Sequence, residues 1–248
     1  MERNETFAAA EMREMSIRLA WAQLEVYADN IDQIQIIASG DETTVNELRI
    51  EDRDGILAIE QPQYGLSLDI THGHWMEISV RVPKTWDRPL RLSTISGLVR
   101  AKGLGSESIS IETISGDLKA SELTAGEIAF KTTSGAIHGK RLITKKLTVR
   151  SVSGDIGLAD TEAKTYRITS VSGDITLEPG SDFDQMEIHT VSGDCSITAE
   201  LDELRISART VSGNKAFGDI KQTDDETASS IRYIGVSGDL KITGKRTA

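Results

Sequence analysis

The chain has 248 residues, a formal net charge of −11, and 38% hydrophobic but only 4% aromatic residues. That is too apolar for disorder and too poor in rings for an aromatic-filled sandwich core, so aliphatic and β-branched side chains must fill the interior. An acidic chain without a basic stripe argues against nucleic acid as a partner, because neutralising phosphates needs clustered Lys and Arg. The single cysteine, Cys195, excludes an intrachain disulfide and a cysteine-based zinc site, and reads as a core residue.

The acidity is concentrated at the start: residues 1–62 hold 14 acidic and 5 basic side chains, residues 63–248 hold 25 and 23. The opening Met-Glu-Arg-Asn-Glu-Thr has no apolar h-region, and no run approaches the roughly 18 apolar residues of a membrane span. The sequence alone therefore predicts no membrane span and a cytoplasmic chain. Segments 16–27, 33–38, 48–51, 56–60 and 76–82 read as strands, separated by turns at Asp29-Asn30, Ser39-Gly40-Asp41 and Asp54-Gly55. They are expected to form irregular first coils over 1–85 that cap one end. His72-Gly73-His74-Trp75 presents two imidazoles without a visible third ligand, and reads as a loop before the strand at Met76.

From residue 86 a repeat takes over. The glycines of successive Ser-Gly pairs are Gly97, Gly116, Gly135, Gly154, Gly173, Gly193, Gly213 and Gly238, spaced 19, 19, 19, 19, 20, 20 and 25 apart. Counting from each glycine, positions −7 and −5 are apolar, from Leu90 and Leu92 in the first unit to Ile231 and Tyr233 in the last, and the residues between them are mostly polar. That is the period-two alternation of a strand with one buried face. After the glycine the apolar set moves to +2 and +4, as at Ile156 and Leu158. A straight strand cannot change phase without exposing its apolar face, so the chain must turn at Ser-Gly-Asp. Glycine suits a corner with positive φ, and Asp can bond the amides that follow it. Gly126 and Pro179-Gly180 suggest a further corner.

Nineteen residues at about 3.3 Å each trace a path on the order of 60 Å, one closed coil of a β-helix rather than a propeller blade. The fold predicted is all-β: a right-handed parallel β-helix, or solenoid, of about 19–20 residues per coil, in one domain over 1–248. Each coil is expected to sit on its predecessor, which would leave Ile242 at the outer end. Residues 222–230 should bulge as an acidic loop, and the charged tail from Lys241 to Arg246 should blunt the final edge.

Asp117, Asp155, Asp174, Asp194 and Asp239 form the one constellation suggestive of metal chemistry, since stacked carboxylates could ligate calcium. Leu98, Ala136 and Asn214 interrupt the column, which favours a structural role at the turn over a metal ladder. His138 and His189 fall on outward columns. There is no nucleophile elbow, P-loop, dinucleotide fingerprint or His-Glu-x-x-His pattern, so no catalytic residue, cofactor site or metal site is assigned. A polysaccharide-lyase-like enzyme would need long loops walling a sugar groove, and the spacings leave room for one insertion only.

The repeated Thr-Ile/Val-Ser-Gly-Asp, the preceding Val-Arg-Val-Pro-Lys at 80–84 and the opening Ser-Ile-Arg-Leu…Leu-Glu-Val-Tyr resemble the bacterial DUF4097, or toastrack, family of adhesin-like proteins. The resemblance implies a β-solenoid, a place at the cell envelope or in its stress response, and no catalytic residues. The function expected is a non-catalytic scaffold or binding protein whose partner is a protein or envelope component. The alternatives are a self-assembling bactofilin-like structural protein and a β-helix carbohydrate-active enzyme.

Overall fold

Alternation at a spacing of 19 brings like residues into columns. The computed structural model describes residues 1–62, 75–201 and 203–245. It pairs Leu90 with Ile109, Ile109 with Ile128, Ile128 with Leu147 and Leu147 with Tyr166, all in parallel. The chain thus winds as a parallel β-helix solenoid whose inward columns touch rung to rung. Ile111, Val149, Ile168 and Ile137 are fully buried. Each such side chain contributes roughly 1.5–3 kcal/mol when covered by the coils on either side.

A coil has three sides. The strands Leu118–Thr132, Ile137–Ser153 and Ile156–Ser172 each run through all three and bend first at +6. There Gly103, Glu122, Arg141 and Asp160 stack with left-handed φ of 66, 57, 53 and 51°. This corner has no glycine signal beyond Gly103, and the three charged residues bear a cost of about 1 kcal/mol each. A third corner falls at Gly126, where pairing skips from Ala125–Thr144 to Glu127–Lys146, at the place the glycine suggests. The short side between these corners buries Leu104, Leu123, Leu142 and Thr161.

Stacking order departs from chain order at both ends. The last coil in sequence, Ser230–Ser237 and Leu240–Gly244, lies between the Gly193 coil and the Gly213 coil. Ile242 has Ile197 on one side and Phe217 on the other and is fully buried, so it is not at the outer end. The reason lies in the inward residues. The Gly238 coil carries Tyr233 and Leu240 where the Gly213 coil carries Ala208 and Lys215, so the more apolar coil is covered on both faces.

Residues 222–230 are the connection that crosses one rung, held by Thr223 N donating to Leu204 O (3.1 Å) and Ser230 N to Asp184 O (3.0 Å). Its Asp224, Asp225 and Glu226 are exposed. Lys241 sits on an internal strand, and Lys245 pairs with Glu200 at 2.7 Å, so the tail does not blunt the final edge. Arg246 lies outside the described residues. The outer coil blunts itself: Lys215 occupies an inward position and its Nζ donates to Ala208 O (3.3 Å), a charge of the kind that discourages strand addition.

At the other end Glu14–Leu19 lies between Ile56–Glu60 and Leu90–Thr94, and Gln23–Asp29 between Met76–Pro83 and Val99–Lys102. Antiparallel strands finish this end: Arg49–Arg53 on Ile56–Glu60, Gln33–Gly40 on Met76–Pro83, and Glu2–Ala8 outermost. The strand Glu2–Ala8 and the short helix Glu42–Glu47 have no counterpart in the sequence reading. Asp41 heads that helix, so Ser39-Gly40-Asp41 is not a corner of the repeat. Ala20-Trp21-Ala22 makes the corner instead, and Gln61 Oε1 accepts its three backbone N–H groups at 2.9, 3.1 and 3.2 Å. No helix among the described residues is long and apolar enough to cross a membrane.

Candidate functional site

The Ser-Gly-Asp corner is where the sequence concentrates its polar groups, and the structure uses them between coils. Asp155 Oδ1 accepts the backbone N–H of Asp174 (2.9 Å), Asp174 that of Asp194 (2.9 Å), Asp194 that of Asp239 (2.8 Å) and Asp239 that of Asn214 (2.7 Å). Asp117 does the same for Ala136 at 3.0 Å. The acceptor function reaches the next coil's amide rather than one within its own turn. Among the described residues no three His, Cys, Asp or Glu side chains gather as a metal site would require.

Positive φ does not unite the corner glycines. Gly154, Gly173, Gly193, Gly213 and Gly238 have it, and Gly97, Gly116 and Gly135 do not. In the first three corners a Thr hydroxyl accepts the glycine N–H, as from Gly116 to Thr113 Oγ1 at 2.9 Å. At Ser151, Ser170, Thr190 and Thr210 the hydroxyl donates to a corner carbonyl instead, as Thr190 does to Ser192 O at 3.3 Å, and at the Gly238 corner the place is taken by Gly235. What all eight share is close approach: a Cβ on Gly116 would stand 2.0 Å from Gly97 O, and one on Gly238 2.1 Å from Gly193 O.

Two outward features of this stack escaped sequence reading. The first is a ridge at −2, where Ile95, Ile114, Val152, Val171, Val191 and Val236 stack beside the corner with 37 to 48% of their surface exposed. Val211, with no coil beyond it, is 84% exposed. The second is a basic face. Arg100, Lys119 and His138 stand on adjacent rungs at +3, and Lys102 and Lys140 at +5 with Ser121 between them. These groups are spread over 40 residues of sequence, so no linear stripe betrays them. Only the 19-residue register assembles them.

Elsewhere cations reach across a rung to a carboxylate: Lys131 to Glu112, Arg141 to Glu122, Lys146 to Glu127 (3.3 Å) and Arg167 to Glu187 (3.4 Å). Arg100, Lys102, Lys119 and Lys140 are all exposed, and none closes an ion pair among the described residues. Glu122 is held below the usual carboxylate range first by its hydrogen bond from Arg141, then by the fields of Arg141 and Lys102. Beside these cations the outward residues shrink to Gly157 and Ala159, and the face opens into a groove of ≈ 430 Å³ whose far side is Thr176 and Glu178.

The cysteine and the histidines are scattered over the chain. Cys195 is a free thiol, buried in the +2 column, and burial pushes its pKa up to about 12. His189 meets Glu187 at 3.1 Å, whereas His138 is exposed in the groove. His72 and His74 lie outside the described residues.

The sequence profile described as Toastrack DUF4097 matches residues 12–243. The chain belongs to this toastrack family. No curated protein matches it. Three solved structures share the toastrack fold along nearly their whole length. One is a "putative adhesin" from Bacteroides fragilis NCTC 9343, 13% identical with a TM-score of 0.55, covering 99% of this chain and 97% of that one. Another "putative adhesin", from Parabacteroides distasonis ATCC 8503, is 16% identical with a TM-score of 0.56, over 99% and 94%. A third, also from Parabacteroides distasonis ATCC 8503, is named a "putative lipid binding protein"; it is 14% identical with a TM-score of 0.55, over 98% and 95%. At such identities the likeness is one of fold.

Proposed function

We propose that this toastrack chain is a non-catalytic binding scaffold of the bacterial cell envelope, a rigid stack that presents repeated outward faces to an envelope component. The observation that carries the reading is the basic face. Where several surface cations elsewhere reach across a rung to a carboxylate, four here close no ion pair among the described residues and stand together beside a groove. The corner Asp carboxylates, the other dense array of reactive groups, are engaged in holding coils together. The names of the fold neighbours, adhesins and a lipid-binding protein, support binding rather than turnover. Growth by end-to-end stacking is opposed by the inward Lys215 at one end and the antiparallel strands at the other.

The test is co-sedimentation of the purified chain with isolated cell-wall and membrane material, together with an assay for released reducing ends. Saturable retention without release of sugar ends supports the proposal. Failure to sediment with either fraction, or time-dependent release of reducing ends, overturns it.

A further inference from the structure

We infer that the groove beside Arg100, Lys102, Lys119 and Lys140 binds an acidic oligosaccharide, one carrying carboxylate or phosphate groups; this rests on the binding-scaffold reading above. The charge argument comes first. In a chain of net charge −11, residues 98–150 hold nine Lys and Arg against five acidic side chains. Six of the nine close no ion pair among the described residues, and four of those six, Arg100, Lys102, Lys119 and Lys140, fall on one face. Arg100 and Lys119 are on adjacent rungs, about 4.8 Å apart, and Lys102 and Lys140 are two rungs apart. Left in water such cations repel one another, and a partner with several anionic groups relieves that repulsion in a single binding event.

Shape selects among anions. The floor next to the cations is Gly157 and Ala159, so a flat ring face can lie against the sheet while its acidic substituents reach the ammonium and guanidinium groups. The volume of ≈ 430 Å³ suits a small ligand rather than a protein surface. The interior behind this face is closed, since Leu118, Ile137, Ile156 and Leu158 are at most 2% exposed, so no opening lets an acyl chain pass from the groove into the solenoid. That favours a water-borne acid sugar over a lipid. His138 adds a ring nitrogen for a sugar hydroxyl. Glu25 and Glu178 bound the groove at its two ends and limit the anion to the stretch between them.

The probe is a galacturonate oligomer, compared with a neutral galactose oligomer of equal length, in calorimetric titration against the full chain. The charged oligomer is expected to bind and the neutral one not. The double variant Lys119→Glu/Lys140→Glu should weaken binding at least about tenfold, since two charge-assisted contacts become repulsive. Gly157→Leu leaves every charge in place, meets no atom nearer than His138 Nδ1 at 3.5 Å from its Cβ, and should also abolish binding by filling the floor. The charge-matched Lys145→Glu/Arg150→Glu, on other faces, should bind as the parent does. Raising salt from 0.1 to 1 M, which cuts the screening length from about 10 to about 3 Å, should suppress binding.

Equal affinity for the neutral oligomer, no binding of the charged one, or no effect of the groove variants overturns the inference. So does tighter binding of phosphatidylglycerol vesicles or a single-stranded oligonucleotide. Failure here with envelope co-sedimentation intact removes the ligand assignment and leaves the scaffold. Failure of both removes the scaffold reading as well.

Discussion

The inserted C-terminal coil makes a prediction that chain order alone would reverse. Ile242 is fully buried between Ile197 and Phe217, so Ile242→Ala removes a side chain enclosed on both faces. Three lost methylene equivalents at about 0.8 kcal/mol each come to about 2.4 kcal/mol. A residual cavity on the order of 50 Å³, at about 24 cal/mol per Å³, adds about 1.2 kcal/mol. The expected loss is therefore about 3–4 kcal/mol, the same as for Ile168→Ala in mid-stack. Phe217 belongs to the outermost coil and is only partly buried, so Phe217→Ala leaves no closed cavity and should cost about 1–2 kcal/mol despite the larger side chain. Urea melts followed by far-UV circular dichroism make the comparison. Tryptophan emission would miss it, because Trp21, Trp75 and Trp86 all lie near the other end. If Ile242→Ala proved milder than Phe217→Ala, the Gly238 coil would be the outer one and the insertion described here would be wrong.

The corner glycines make a second contrast. Gly116→Ala, with ordinary φ but a carbonyl oxygen 2.0 Å from the new Cβ, should cost more than about 3 kcal/mol in a denaturant melt, whereas Gly103→Ala, at φ +66° with nothing within 4 Å, should cost about 1 kcal/mol. The reverse order would make backbone conformation, not close approach, the reason for the column. The Asp ladder should respond to truncation and not to calcium: Asp174→Ala should lose about 0.5–1.5 kcal/mol with one hydrogen bond, and millimolar calcium should leave melting of the parent unchanged. A saturable stabilisation near the roughly 2.7 kcal/mol of a site at 100 times its Kd would restore the metal reading. Because burial raises the Cys195 pKa to about 12, the thiol stays protonated through pH 9, and Ellman's reagent at pH 8 should label it only in denaturant; rapid labelling of the native chain would show that the coil opens.

The columns, the coil length and the Ser-Gly-Asp corner were legible because each is repeated. Alternation marks which face is inward, and a shift of phase marks where the chain must bend. Three things were not legible for identifiable physical reasons. The corner at +6 uses Glu122, Arg141 and Asp160 in left-handed geometry, and Glu and Arg carry no turn signal, while a lone Asp in the column does not mark a repeated corner. The ridge at −2 is built from Val and Ile, whose β-branching suits extended backbone whether the side chain is buried or not, so an exposed column of them reads as more strand. The basic face exists only in the third dimension, since a 19-residue spacing separates groups that stand one rung apart.

Coil order is a different case, for the information was present in the sequence. An end coil must face solvent on one side, so its inward positions tolerate polar residues that no interior coil can accept. Lys215 at +2 and Ala208 at −5 mark the Gly213 coil as such an end, while Ile231, Tyr233, Leu240 and Ile242 mark the later coil as interior. The spacing of 25 before Gly238 then has a geometric meaning, because a chain that must return past one rung needs extra residues to cross it. Inward polarity and a lengthened spacing together point to an inserted coil, where the lengthened spacing alone suggests only a loop. The same reasoning bears on the groove. Its cations sit on coils whose inward residues are apolar side chains and hydrogen-bonded threonines, so their lack of ion pairs among the described residues reflects no defect in packing, and it is this that the acidic-oligosaccharide proposal builds on.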